Sequence, residues 1–164
     1  MLESLEIDDK QLHPRTELAK IYQRQNKLDR AEALLLESLE IDDKQLHPRT
    51  ELAKIYQRQG KFIEAEQIAE EVLKMDSLNV HAISELLEIW NRYGEKEKGA
   101  GRFIDFIDQP GYRFSRYSQA PVFRFFRFCS AFSLNEVAAE VYRRFGPELD
   151  DRNIEYYKRN LDRS

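Results

Sequence analysis

The chain is poor in cysteine, proline and glycine. Its single cysteine, Cys129, excludes an internal disulfide, so nothing argues for the stapled framework of a small secreted domain. Five prolines and six glycines in 164 residues are too few for a collagen-like or low-complexity chain. No uninterrupted apolar run approaches the roughly 20 residues that a membrane-spanning helix needs. The opening residues, MLESLEIDDK, are acidic and too poor in apolar residues for a signal peptide, which makes a cytoplasmic setting the expectation. Catalytic signatures are missing as well. There is no glycine-rich phosphate loop, no His-Glu-x-x-His, no cysteine pair and no Gly-x-Ser-x-Gly. The acidic pairs Asp8/Asp9, Asp42/Asp43 and Asp150/Asp151 sit beside turns, where solvated carboxylates belong. No enzyme activity, cofactor or metal is expected.

What the chain does have is charge and repetition. Charged residues make up 34% and hydrophobic residues 41%, a balance that suits a packed helical protein. The net charge of −4 is unevenly spread. Residues 1–100 hold 21 acidic and 15 basic side chains, whereas residues 101–164 hold 9 and 11. The positive excess lies between Arg102 and Arg127, a local patch far from a globally basic nucleic-acid binder.

The stretch LESLEIDDKQLHPRTELAKIYQRQ occurs twice, at Leu2–Gln25 and Leu36–Gln59, identical at every position and offset by 34 residues. A period of this length marks an array of helix–turn–helix repeats. Beyond the block, 26–35 and 60–69 agree only at Lys27/Lys61, Ala31/Ala65 and Glu32/Glu66. So sharp an edge points to copying that was very recent or deliberate. Within the unit 46–79, Leu52, Ala53 and Tyr56 share one helix face, Pro48 lies in the first turn, and Gly60 breaks the helix. A second helix follows, with Phe62, Ala65, Ile68, Ala69, Val72 and Leu73 on its apolar stripe.

This unit resembles the tetratricopeptide repeat. Leu52, Ala53, Tyr56, Gly60 and Ala65 match its signature, while Arg49, Ala69 and Ser77 stand where Trp, an aromatic and Pro are common. Walking the frame gives a half-repeat at 1–11, whose helix end is Leu2–Ile7, and repeats at 12–45, 46–79, 80–113 and 119–152. A cap at 153–164 closes the chain. The last step carries a five-residue shift absorbed around Pro110-Gly111, and Ser133 replaces the turn glycine. The fold expected is all-α: a right-handed superhelical solenoid of helix–turn–helix repeats with a C-terminal capping helix. Helices are expected near 13–25, 28–41, 47–59, 62–75, 80–93, 96–108, 119–131, 134–145 and 152–161.

The resemblance implies that the first helix of each unit lines a concave groove. Unit one then offers His13, Thr16, Lys20, Gln23 and Arg24, and unit two repeats the set as His47, Thr50, Lys54, Gln57 and Arg58. Unit three presents His81, Ser84, Glu88, Asn91 and Arg92, and unit four Phe123, Arg127 and Ser130. His13, His47 and His81 recur at one repeat position. Helix axes about 8–10 Å apart cannot bring three ligands to within about 2 Å of one zinc, so these histidines are not expected to bind metal. In Gly111–Phe132, Arg113, Arg116, Arg124 and Arg127 interleave with Tyr112, Phe114, Tyr117, Phe123, Phe125, Phe126 and Phe128. Phe125, Phe126 and Cys129 fall on core positions; Phe123 and Phe128 do not, and are expected to be partly exposed or covered by the 109–118 connection.

The function this implies is a non-catalytic protein–protein interaction scaffold. It would hold a protein or an acidic peptide through the groove (His47, Lys54, Arg58, Glu88, Arg92) or the C-terminal aromatic and arginine surface (Phe123, Arg124, Arg127, Phe128). A second copy docked end to end through the terminal repeats is a further candidate partner. Nucleic acid and membrane rank below these. Two alternatives stay open at this point: an engineered, repeat-extended array whose role is structural or self-assembling, and an RNA-binding helical module.

Overall fold

A computed structural model of the protein describes residues 9–115 and 119–162, with side chains from Pro14 onward in the first stretch. The helix end expected at Leu2–Ile7, Arg116, Tyr117 and the side chain of His13 lie outside the described residues. Among those described there are nine α-helices and no strand. They are α1 (Asp9–Arg24), α2 (Leu28–Ile41), α3 (Leu46–Arg58), α4 (Phe62–Met75), α5 (Val80–Tyr93), α6 (Lys96–Ile107), α7 (Gln119–Phe132), α8 (Asn135–Phe145) and α9 (Asp151–Asn160). A 3₁₀ turn at Gly146–Glu148 leads into α9.

Four turns show why the helices pair. Asn26, Gly60, Gly94 and Ser133 all adopt left-handed backbone, with φ of 58°, 78°, 76° and 56°. Past each one the backbone amide bonds to a carbonyl five residues earlier: Lys27 to Tyr22 (2.9 Å), Lys61 to Tyr56 (2.8 Å), Glu95 to Trp90 (3.1 Å) and Leu134 to Cys129 (2.9 Å). This is the Schellman stop, which satisfies a helix's last carbonyls and reverses the chain. Glycine takes the left-handed shape at no steric cost, whereas the serine takes it under strain.

The chain divides into two compact units, residues 1–75 and 76–164. In the first, α1 packs on α2, α2 on α3 and α3 on α4, and α1 also meets α3. Its core joins Ala19, Ala31, Leu35, Leu52 and Ile55, each 1% exposed or less, with Tyr22, Tyr56 and Ile68 packed against them. The alanines let paired helices approach closely, and each large side chain so buried contributes about 1.5–3 kcal/mol. The duplicated Tyr22 and Tyr56 are each covered by a lysine of the following turn, Lys27 at 5.8 Å and Lys61 at 5.0 Å from the ring centre.

The second unit is built around aromatic rings. Here α5 packs on α6 and α7, and α7 also packs on α6, α8 and α9. Trp90, Phe103, Phe106, Phe125, Phe126 and Phe128 are fully buried. Phe103 stacks on Phe125 at 4.1 Å and Tyr142 on Tyr157 at 3.9 Å, contacts that add to the area they bury. The expected turn at Pro110-Gly111 is present, with Gly111 at φ 95° and the Tyr112 amide bonded to the Gln109 carbonyl at 3.0 Å. Asp150 caps α9 by accepting from the Asn153 amide at 2.9 Å, and Asn135 ties in its end by donating to the Leu161 carbonyl at 2.7 Å.

One expectation is overturned. Phe128 is 1% exposed, because glycine at residue 99 of α6 leaves space for its ring. It belongs to the core and cannot offer a surface to a partner.

Candidate partner-binding faces

In the first unit His47, Lys20, Lys54, Glu51 and Glu17 lie close enough for their charges to act on one another. Lys54 pairs with Glu51 at 2.7 Å, and Lys20 with Glu17 at 2.8 Å, the same i, i+3 bridge in both copies. Glu51 also accepts a hydrogen bond from Gln23 at 3.1 Å, so two copies are stitched together by one buried carboxylate. Burial would raise the Glu51 carboxyl's pKa, but the Lys54 hydrogen bond and charge, with Gln23, bring it below its ordinary value. His47 lies at the surface, and partial loss of water around its ring lowers its pKa, with Lys20 and Lys54 pushing the same way. Arg58 is exposed yet engaged: it donates to the Gln23 carbonyl at 2.8 Å and to Asn26 Oδ1 at 3.1 Å, clamping α3 to the α1–α2 turn.

The hydroxyls expected in a groove lie deeper. Thr16, Thr50 and Ser84 are 2%, 6% and 6% exposed, and Gln23 is 8%. Thr50 and Ser84 donate to carbonyls one turn back, Leu46 at 2.9 Å and Val80 at 2.7 Å. All four are buried, where the helices pack.

In the second unit, α5 and α7 bring two nominated residues together. Arg124 lies 3.6 Å from Glu88 and 3.5 Å from Glu85, and it donates to the Ser84 carbonyl at 3.5 Å. This arginine is therefore committed to holding α7 on α5. Arg127, one turn on, is exposed, as is Arg92 at the end of α5. Phe123 is half-buried on the face that α7 turns toward α9. Its ring carries the Arg152 guanidinium at 3.9 Å and the edge of Tyr156 at 5.2 Å. These three line a cleft of about 170 Å³ with Glu155, Arg159 and Asn160. Arg159 pairs with Glu155 at 2.6 Å, while Arg152 lies over the ring. Reading α9 only as a polar cap missed Arg152 and Tyr156. Their i, i+4 spacing, continued by Arg159, was the signal that they share a face.

The remaining aromatics of 111–132 serve packing. Tyr112 and Phe114 lie against Phe145 at 6.0 and 4.9 Å. Burial pushes the Cys129 thiol up to about 12, which keeps it protonated and unreactive. Among the described residues, no group of three or more His, Cys, Asp or Glu could hold a metal ion, and no helix is long and apolar enough to cross a membrane.

No curated protein matches the chain. Among solved structures it is similar to a Podosopora anserina protein described as a kinesin light chain with nearly identical tetratricopeptide-like repeats. The identity is 19% over 93% of this chain and 88% of that one, with a TM-score of 0.67. At that identity the likeness carries the fold, an all-α repeat solenoid. The family model of the tetratricopeptide repeat matches residues 15–41 and 49–75. The chain thus contains tetratricopeptide repeats.

Proposed function

We propose that the protein is a non-catalytic scaffold that holds an acidic segment of a partner protein, with the α7–α9 cleft as its principal contact. Tetratricopeptide repeats generally mediate binding to other proteins or peptides. The observation that carries the finer reading is the Phe123 ring overlaid by Arg152 and packed edgewise with Tyr156 in a cleft of about 170 Å³. A cleft of that size accepts one side chain. Its aromatic wall takes an apolar stem, and the arginine takes a carboxylate through a charge-assisted hydrogen bond. Arg127 extends positive charge along the same helix. Aromatic and arginine residues grouped in this way are the usual anchors of a protein interface.

The same geometry disfavours a single-stranded nucleic acid. Bases need exposed ring faces to stack on, and Phe125, Phe126 and Phe128 are all buried.

The test is selection of random peptides displayed on phage against the wild-type protein, followed by titration of the winners. The reading expects enrichment in Asp and Glu, and affinity at least tenfold weaker for Arg127→Glu with Arg152→Glu. Both arginines reach solvent, so circular dichroism should show the fold intact. Peptides without acidic bias, or equal binding to the variant, would end this reading.

A further inference from the structure

Helix α9 is tied to the second unit at both ends, and the two ties differ. At its end a bond runs from Asn135 of α8 to the Leu161 carbonyl, at 2.7 Å. At its start the tie is Gln119, the first residue of α7. Gln119 Nε2 donates to the Glu148 carbonyl at 3.0 Å, and its Oε1 accepts from the Asp150 amide at 3.3 Å and Asn153 Nδ2 at 3.2 Å. Asn153 Nδ2 also donates to Asp150 Oδ1 at 2.7 Å, which closes a triangle of side chains.

The triangle is held at some loss of stability. Asn153 is 1% exposed, and its Oδ1 has no hydrogen-bond partner among the described residues. Both groups beside its nitrogen are acceptors, so turning the amide over would give up both bonds. A buried carbonyl left in this state weakens the fold. Apolar packing joins the same two helices without it, through the Phe126 and Tyr157 rings at 5.4 Å. Ring contacts tolerate sliding, whereas hydrogen bonds fix a length and a direction. What the triangle supplies is register.

The α7–α9 cleft depends on that register. Phe123 lies one helical turn after Gln119 on the same side of α7, about 6 Å along the axis. Arg152 directly precedes Asn153, and Tyr156 follows it by three residues. Arg152 over the Phe123 ring at 3.9 Å and Tyr156 edgewise at 5.2 Å are thus contacts made one turn from the triangle. Neither Gln119 nor Asn153 lines the cleft itself.

We propose that Gln119 is a positioning residue of this cleft. Acting through Asp150 and Asn153, it sets the first turn of α9 against α7 so that Arg152 and Tyr156 meet Phe123. The proposal rests on the reading of the cleft as the site for an acidic segment. Asn135 holds the far end of α9 and does not serve the contacts on Phe123.

The test sets Gln119→Met, which keeps the side chain's length and removes its three bonds, beside Asn135→Ala, which removes the other tie. The first readout needs no ligand. Phe123 ring resonances should move, and their nuclear Overhauser contacts to Tyr156 weaken, in Gln119→Met and not in Asn135→Ala. The second is titration of an acidic peptide selected on the wild-type protein. Affinity should fall at least fivefold in Gln119→Met and stay within twofold in Asn135→Ala. Urea midpoints should drop in both, so lost stability alone would not separate them. Gln119→Asn, which withdraws the same amide by one carbon, should repeat the Gln119→Met pattern. A Phe123 ring that stays in place in both Gln119 variants would overturn the proposal. So would peptide affinity that survives them, or that falls equally in Asn135→Ala. If no acidic peptide binds the wild type, the reading of the ligand fails instead, and the ring resonances alone decide the positioning role.

Discussion

The ring of Phe128 occupies the space that a side chain at residue 99 would need. A Cβ on Gly99 would stand 2.3 Å from Phe128 Cζ. Glycine inside a helix is unfavourable by about 1 kcal/mol against alanine, so a better helix former would ordinarily stabilise α6. Here the clash wins. Phe128 is 1% exposed and held by Phe125 and Phe132, at 6.3 and 4.9 Å, so its ring has nowhere to retreat. Gly99→Ala should destabilise by about 1–3 kcal/mol in urea unfolding, and Phe128→Leu should reduce that loss in a double-mutant cycle. An alanine variant as stable as the wild type would contradict this packing.

Identical residues should respond unequally to the same substitution. Leu52→Ala opens a cavity in a closed core and should cost about 2–5 kcal/mol. Leu18→Ala, in the same local sequence but 39% exposed, should cost about 1 kcal/mol or less. Matched urea melts of the two variants check this, and equal losses would refute it.

The turn residues make an opposed pair. Ser133 holds φ 56° and Gly94 φ 76° at the same point of the repeat. Ser133→Gly should stabilise by about 0.5–1 kcal/mol, since it relieves a left-handed serine at some cost in chain entropy. Gly94→Ala should destabilise by about 1 kcal/mol. A Cβ there would meet nothing within 4 Å, so the loss would come from the backbone alone. Thermal melts of both variants test the sign of each change.

The two arginines of α7 should separate structure from binding. Arg124 faces the buried carboxylate of Glu85, whose side chain is 7% exposed, at 3.5 Å. Arg124→Ala should cost about 1–3 kcal/mol, because it withdraws a charge partner from a poorly solvated group. Arg127→Ala should leave stability within about 0.5 kcal/mol and weaken peptide binding instead. Comparing urea midpoints with titrations of a selected acidic peptide distinguishes the roles, and the reverse pattern would exchange them.

Much of the fold was legible because the copied block exposed its period, and the period carried the frame into units with no copy. Asn26 and Ser133 could be placed at turns by register alone, although neither is glycine. The burial of Phe128 follows from a column outside the Leu52, Ala53 and Tyr56 signature: Ile21 and Ile55, continued by Ile89, in which Phe128 is the next member. Ile55 and Ile89 are both 0% exposed, which marks that column as core. The exposure of Leu18 and Ile21, 39% and 47%, could not be read at all. Identical sequences carry identical local signals, and burial is decided by what packs on them. The α7–α9 cleft was half legible, Phe123 from its departure from the core pattern and Arg152 only once α9 is seen against it.

His47 offers a pH readout of the first unit. Partial desolvation, Lys20 and Lys54 all lower its pKa from the ordinary value of 6.5, while Glu51 and Glu17 oppose them. Below pH 6.5 the unfolded chain protonates this histidine while the folded chain still resists. Its contribution to stability is therefore present above 6.5 and is lost as the pH falls through the lower folded value. The histidine ring resonance should titrate below 6.5 in NMR spectra. Lys20→Gln or Lys54→Gln should move the midpoint upward and Glu51→Gln downward. His47→Gln should flatten the change in unfolding midpoint across that window. A midpoint at or above 6.5 in the folded protein would contradict the arrangement of charges around His47.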